Sequence, residues 1–368
     1  MNYKPWLIGG GLVAAAVTAA YVGIKPAAAA DLGGNCCADL EERIADLEAS
    51  VARKGNRKVT LTISGHVSKA LMWWRPSGEP TEFAIVDNPN TNSRFRFEGE
   101  GKISPGVMAG YRMEFGVGDG GQVMIRHNAM YLKSTTLGTV WVGHTSTATD
   151  AIVEIDISNS NVAALSFLSA VGPQSDFVGG FDGGRSTVVK YITPSVAGFT
   201  AEVAINQDNV WDAALRFANE FGPVRLAAGV GYAKIADDDR ISGSASAMHA
   251  PTGVFLTGAY GQLKPETFTN GFSAALLDAK IKGWMVKPGI ERNWFGIGKT
   301  TLFAEYADVH LDAGAIDGKL TSWGGGVVQS IDAAALDLFA AVRHMEAKSG
   351  PTKLGEGDYI IAGTKISF

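Results

Sequence analysis

The sequence predicts an all-β fold, a transmembrane antiparallel β-barrel of about 16 strands preceded by a short N-terminal helix. Three observations carry that prediction. Past residue 30, apolar residues alternate with polar ones almost everywhere, in place of the long apolar runs of a soluble core. One face of each barrel strand meets lipid and the other meets water, which produces this alternation. Connections also alternate between tight turns and long loops. Finally, the mean hydropathy of +0.07 is low for a helical membrane protein and unremarkable for a barrel, and glycine is unusually frequent at 46 residues.

Residues 1–30 read as a secretory signal peptide. Lys4 supplies a positive start, Trp6 to Ile24 is apolar, and Ala28-Ala29-Ala30 offers a small-residue cleavage site. A retained membrane anchor is the alternative, because the apolar run approaches spanning length. Removing this segment takes away Lys4 and Lys25, leaving 30 basic against 37 acidic residues, a formal charge of −7. An acidic balance argues against a nucleic-acid partner, whose phosphates require a basic surface.

Residues 31–58 form an N-terminal coiled-coil segment and linker on the periplasmic side. Cys37, Leu40, Ile44, Leu47 and Val51 follow the 3-4-3-4 spacing of a coiled-coil seam. Two heptads hold chains together weakly on their own, so the seam reinforces an oligomer made elsewhere. An amphipathic helix packed on its own barrel is the other reading. Cys36 and Cys37 are adjacent, which excludes a disulfide framework and leaves pairing between chains open. Arg53 to Lys58 is a polar lead into the barrel, residues 59–368.

Sixteen strands are expected. They begin with 59–74, 92–104, 107–118, 125–135 and 138–145. After a long interval come 185–193, 199–206, 211–221, 223–235, 240–249 and 254–262. The series closes with 282–294, 296–309, 320–331, 333–346 and 358–368. Long connections fall at 75–91, 146–184, 263–281 and 347–357, and an even strand count puts both ends of the barrel on the periplasmic side. Segments 125–135 and 240–249 alternate poorly. Lys69 falls on the lipid phase, which predicts a bulge, a position above the apolar band or a subunit contact. Aromatic residues such as Trp73, Trp211, Phe221, Trp294 and Phe368 fall near strand ends, as interfacial girdles require.

The longest interval without a strand, 146–184, carries Asp150, Glu154, Asp156, Asp176 and Asp182 and no Lys or Arg. Loops of this length inside compact domains are usually functional. We expect it to fold into the barrel as a constriction loop. Its carboxylates Asp150, Glu154 and Asp156 would then face lumen-phase Arg94, Arg96, Lys102, Arg112 and Lys365, and set a field across the pore. The plainer alternative is that these basic residues pair with Glu98, Glu100 and Glu114 on their own strands. Six scattered histidines form no metal-ligand spacing, so neither a metal nor a cofactor is expected. A barrel enzyme would need clustered Ser/His or Asp/His groups, which no segment supplies.

Asn35 to Glu48, followed by Arg53-Lys54-Gly55-Asn56-Arg57-Lys58-Val59, resembles the start of the alphaproteobacterial outer-membrane porins. Thr149 to Asp156 is similar to the constriction-loop entrance of the same family. The resemblance implies a homotrimer of 16-stranded barrels, embedded in outer-membrane lipid and lipopolysaccharide, that passes small hydrophilic solutes. A substrate-specific channel and a structural anchor that grips a periplasmic or cell-wall partner through its N-terminal helix are the alternatives.

Overall fold

The computed structural model describes residues 58–76, 81–164, 180–208, 210–235, 238–264, 267–269, 275–277, 279–314 and 316–368. The expected signal peptide, Cys36 and Cys37, and the heptad of Cys37, Leu40, Ile44, Leu47 and Val51 lie outside these residues, as does Asp176 of the long loop. The described residues make one closed antiparallel barrel whose wall has sixteen strands. In chain order these are β1 (Thr62–Pro76), β2 in two pieces (Glu82–Asp87 and Arg94–Ser104), β3 (Val107–Val117), β4 (Val123–Ser134) and β5 (Gly138–Ser146). Next come β6 (Arg185–Ile192), β7 (Phe199–Asn206), β8 (Trp211–Phe221), β9 (Val224–Ile235), β10 (Asp238–His249) and β11 (Val254–Lys264). The last five are β12 (Lys280–Arg292), β13 (Thr300–Ala313), β14 (Ile316–Ile331), β15 (Leu336–Ser349) and β16 (Thr352–Ser367). A small hairpin, Thr267–Thr269 with Ala275–Leu277, stands apart from the wall.

Closure is made by β1 against β16, with His66 opposite Ser367 and Pro76 opposite Gly357. Phe368 completes the seam through reciprocal backbone hydrogen bonds with Gly65. Every wall strand is therefore paired on both sides, the condition a sheet must meet to sit in lipid without exposed backbone donors. Alternation sets the two faces. Ile63, Val67, Leu71, Val142, Leu215, Leu256, Leu302, Val342 and Ile360 are exposed on the outer face, as residues bathed in hydrocarbon would be. Rings pair across neighbouring strands on that face, Trp211 at the start of β8 beside Tyr232 and Trp284 beside Tyr306.

The wall is uneven in height. β6 and β7 have 8 residues each and β5 has 9, whereas β14 and β16 have 16 each. The expected long loop at 347–357 is instead strand, because β15 and β16 pair up to Ser349 opposite Thr352. Charged residues such as Glu346, Lys348, Lys353 and Glu356 occupy that extension and pair with one another. Above the lipid the apolar alternation ends while the hydrogen-bonded ladder continues. The expected start of β13 at residue 296 and of β15 at residue 333 likewise shift, to Thr300 and Leu336, since Asp332–Ala334 is a 3₁₀ turn.

Segment 75–91 is not all loop, for its residues Glu82–Asp87 pair with Lys69–Trp74 of β1. The second piece of β2 then takes over the lower half of β1, Thr62–His66. The break between the pieces falls beside Lys69. That lysine lies opposite Asp87 and bonds to it at 3.2 Å and to Asp119 at 2.6 Å. A lipid-phase cation is thus neutralised where the wall strand is interrupted.

Candidate functional site

The chain leaves β5 at Ser146, turns inward and runs along the inner face of the barrel. Its residues 147–164 are fastened strand by strand. Asp212 of β8 accepts from the Ala148 amide at 3.0 Å and from the Thr149 amide at 2.8 Å. Arg216 of β8 donates to the Ala148 and Asp150 carbonyls at 3.0 and 2.8 Å. On β10, Ser244 donates to the Ile152 carbonyl at 2.7 Å, and Ser244 and Ser246 accept from the Ile155 and Ile157 amides. Glu291 of β12 accepts from the Asn159 amide at 2.9 Å. Asn159 reaches Ser330 of β14 and Asp337 of β15 through its side-chain amide. The short 3₁₀ turn Asn159–Val162, capped by Ser158, ends this run.

At its far end the loop meets the break in β2. Asn88 donates to the Val162 carbonyl at 2.9 Å and Asn90 to the Ala163 carbonyl at 2.8 Å. Lys287 of β12 grips the same turn, bonding Asp156 at 2.9 Å, Asn161 at 2.9 Å and the Ala164 carbonyl at 3.0 Å. The run therefore joins the β12 side of the lumen to the β2 side. The returning limb is held by Arg240 of β10, which donates to the Gly180 and Asp182 carbonyls and to Thr149 Oγ1.

Apolar packing backs these bonds. Ile152, Val153, Val162 and Phe181 are buried and share a cluster with wall residues Phe255, Ile281, Met285 and Phe303. Each such side chain contributes roughly 1.5–3 kcal/mol when fully removed from water. Wall glycines make the room. A Cβ at Gly261 would stand 2.3 Å from the Phe181 ring, and one at Gly231 would stand 2.5 Å from the Thr149 methyl. Both are too close for contact, so glycine at these two lumen-phase positions admits the loop.

Charge is distributed unevenly across the lumen. Asp156 is sealed with Lys287, their side chains 1% and 0% exposed. Burial pushes the Asp156 carboxyl up, but Lys287 and the Ser158 amide outweigh it and hold the group below the usual carboxylate range. The expected pore-lining role of Asp156 thus gives way to an anchoring one. Asp150 takes a 2.5 Å bond from Ser146 and lies 3.7 Å from Arg185, and Glu154 is half-buried. Asp182 accepts from the amides of Ala151, Ile152 and Val153. Burial, and then the charges of Glu154 and Asp150, push the Asp182 carboxyl up to about 7, against those amides.

On the facing wall, Arg96 and Arg126 each bond Glu114 at 2.7 Å, with Arg94 at 3.7 Å from the same carboxylate. Arg112 pairs with Glu98 and lies over the Trp141 ring at 5.2 Å. Of the expected basic residues, Arg94, Arg96 and Arg112 pair with glutamates of their own and adjacent strands. Lys102 is exposed near the turn into β3, about 20 Å along the strand from Arg96. Lys365 bonds Asp337 at 3.3 Å, the carboxylate that also receives Asn159 of the loop. Sequence reasoning missed Arg126 and Arg185. The strand at 125–135 alternates poorly because a register shift falls where Glu114 and Phe115 face it, which takes Arg126 out of phase. It also missed Lys287, Arg240, Asp212, Asn88 and Asn90, whose partners lie far away in sequence.

A profile described as Gram-negative porin matches residues 13–350. The chain belongs to the Gram-negative porin family. OmpT of Vibrio cholerae, in its loop L8 deletion form, superposes with a TM-score of 0.60 at 15% identity, covering 84% of this chain and 100% of that one. The anion-selective porin of Comamonas acidovorans gives 0.57 at 14% identity, covering 84% and 100%. OmpF of Salmonella typhi, solved with daunomycin, gives 0.57 at 14%, covering 84% and 98%. At these identities the likeness is one of fold. Comparison with curated protein sequences returned no match. As a porin, the protein is a diffusion channel of the bacterial outer membrane, with a polar lumen that water can fill.

Proposed function

We propose that this porin is a general, homotrimeric channel for small hydrophilic solutes, in which residues 146–184 set the size limit. The observation that carries the reading is the inward course of residues 147–164, bonded from β8 round to β15 and across to the break in β2. A sixteen-stranded wall alone encloses too wide a tube to select among small solutes. A segment tied to both sides narrows it, and its carboxylates oppose the wall arginines to order water across the gap.

The trimer is supported by the low part of the wall, β5 to β7, and by the Lys69, Asp87 and Asp119 cluster on the outer face of β1 to β3. Charges on a lipid face are costly, whereas a subunit contact accommodates them. The V. cholerae OmpT is described in a trimer form, which fits this assembly. The alphaproteobacterial resemblance of residues 35–59, the cleavable signal and the heptad seam fit the same reading, with lipopolysaccharide and lipid covering the rest of the wall.

Planar bilayers test it. Full-length protein should insert in groups of three equal conductance steps. Replacing residues 151–182 with a short Gly-Ser linker should raise both the unit conductance and the largest sugar that enters liposomes. An unchanged size limit in the shortened protein would remove the loop from its role, and single-step insertions would remove the trimer.

A further inference from the structure

We propose that Tyr131 and Trp141, on the inner face of β4 and β5, form a saccharide-binding ledge, with Glu98, Glu100 and Arg112 supplying hydrogen bonds to sugar hydroxyls. The inference deepens the reading of the protein as a channel for small hydrophilic solutes and rests on it, naming one class of solute that the wall would hold in passing.

The two rings stand where the wall has no packing use for them. Met130, Leu132, Val140 and Val142 are exposed on the outer face, so alternation turns Tyr131 and Trp141 into the lumen. They are direct partners across the β4–β5 ladder, with ring centroids 4.5 Å apart and planes inclined at 42°. Lumen-phase rings elsewhere in the wall are taken up by the loop's apolar cluster: Phe255, Phe303, Phe339 and Tyr359 are buried in it, and Trp74 packs against it. Tyr131 and Trp141 lie outside that cluster and are half-buried. The interior of a membrane barrel is polar, so ring surface left beside its water is a departure from the pattern.

The wall is shaped to hold the rings flat. Glu100, Gly110, Tyr131 and Trp141 are successive partners across β2, β3, β4 and β5. A Cβ at Gly110 would stand 2.2 Å from the Tyr131 ring, so the ring lies over the β3 backbone, and its hydroxyl donates to Glu100 at 3.1 Å. Three strand spacings make the ledge about 14 Å wide, room for two sugar rings. Polar groups border it. Arg112 pairs with Glu98 and lies over the Trp141 ring at 5.2 Å, the two charged side chains being 30% and 34% exposed. Among the described residues, Arg112 and Arg96 both approach Oε1 of Glu98, which leaves Oε2 for a hydroxyl. On the other flank Lys190, opposite Trp141, shares Glu202 with Arg216 at 3.6 and 3.1 Å. Charge on both sides is thus paired within the wall. What the ledge adds is ring surface bordered by donors and acceptors.

That combination matches a pyranose. One side of the sugar ring presents C–H bonds, whose positive ends suit the negative face of an aromatic ring. Its rim carries hydroxyls that both donate and accept, and a carboxylate beside a guanidinium answers both needs. An apolar floor with a few placed polar groups is the usual make-up of a small-molecule site. A linear polyether of the same size has neither the stacking face nor the hydroxyl rim.

The test uses full-length protein in planar bilayers, with maltose and a polyethylene glycol of equal hydrodynamic size as probes. Maltose should reduce the current along a saturating curve and add excess noise, while the polymer should reduce it only in proportion to concentration. Trp141→Ala and Tyr131→Ala should each raise the half-saturating maltose concentration by roughly ten-fold, the scale of a lost aromatic contact. Trp141→Leu keeps apolar bulk and loses the ring, so it carries the same expectation should the alanine variants fail to insert. Tyr131→Phe keeps the ring and loses the bond to Glu100, and should give a smaller rise. A well-defined unit conductance in sugar-free salt shows that a variant forms a channel. Maltose and polymer acting alike on the unmodified channel would overturn the inference, as would a half-saturating concentration that the Trp141 and Tyr131 variants leave unchanged. In either case maltose could still enter liposomes through the channel, so the diffusion reading and the ledge fail separately.

Discussion

On the loop side of the lumen, carboxylates serve as fasteners: Asp156 grips Lys287, and Asp182 gathers three amides of the opposite limb. On the β2 to β4 wall the reverse holds, and one buried glutamate sits under several guanidinium groups. Both regions contain ionised side chains in a narrow aqueous space, yet the Asp156–Lys287 pair is sealed while the side chains of Arg94, Arg96 and Arg126 stay partly exposed. The difference lies in burial. A sealed ion pair has its field closed on itself, and its worth is positional. A partly exposed cluster with unequal numbers keeps an outward field and can act on ions in the lumen.

The largest effect is expected from opening the sealed pair. Lys287→Met leaves Asp156 buried without its cation and removes three contacts to the turn at Asp156–Ala164. Breaking a buried pair from one side costs about 3–5 kcal/mol. The loop tip should detach from β12, so single-channel conductance should rise and current noise increase. Adding Asp156→Asn should restore much of the quiet trace, because the stranded charge is gone. A Lys287→Met channel with unchanged conductance and noise would show that the wall bonds from β8 and β10 suffice.

A smaller effect, graded with pH, is expected at the neck of the loop. The Asp182 carboxyl is pushed up to about 7 from an ordinary value near 3.8, first by burial and then by Glu154 and Asp150. A raised value means that the docked neck binds a proton more tightly than the released one. The stabilisation is fully present below about pH 4 and is lost as pH rises through about 7, a swing of a few kcal/mol. Current fluctuations should therefore grow between pH 5 and pH 8. Asp182→Asn should flatten that dependence, and a fluctuation rate independent of pH in both proteins would refute it.

Much of the barrel was legible because alternation is a local signal. Each strand such as Val107–Val117 declares its own two faces, and turns such as Ser104-Pro105-Gly106 declare themselves too. The missed pieces have one physical cause in common. Glu82–Asp87 is a strand only because Lys69–Trp74 of β1 lies beside it, and Thr352–Gly357 continues as strand only because β15 does. The loop's acidity was legible and its inward course was expected. The roles of Asp156 and Asp182 were not, since burial by Lys287 and by three amides depends on residues up to 131 positions distant. Gly231 and Gly261 carry no local signal that sets them apart from other strand glycines, and the approach of Thr149 and Phe181 explains them.

The smallest effect is expected at Lys102, and it sharpens the contrast between position and charge. Lys102 shares the lumen phase of Arg94 and Arg96 on β2, so by pattern alone it belongs to the same basic wall. It is exposed near the turn into β3, about 20 Å from Arg96 along the strand, beyond two screening lengths in physiological salt. Lys102→Gln should shift the reversal potential by far less than the double variant Arg96→Gln with Arg126→Gln, and the shift should vanish at 1 M KCl. An exposed charge at the mouth acts through concentration of ions near the entrance, which salt screens out. The arginines act at short range in a confined lumen, where screening is weak. A Lys102→Gln effect that matched theirs and persisted in 1 M KCl would mean that selectivity is set by the whole basic strand and not beside the loop.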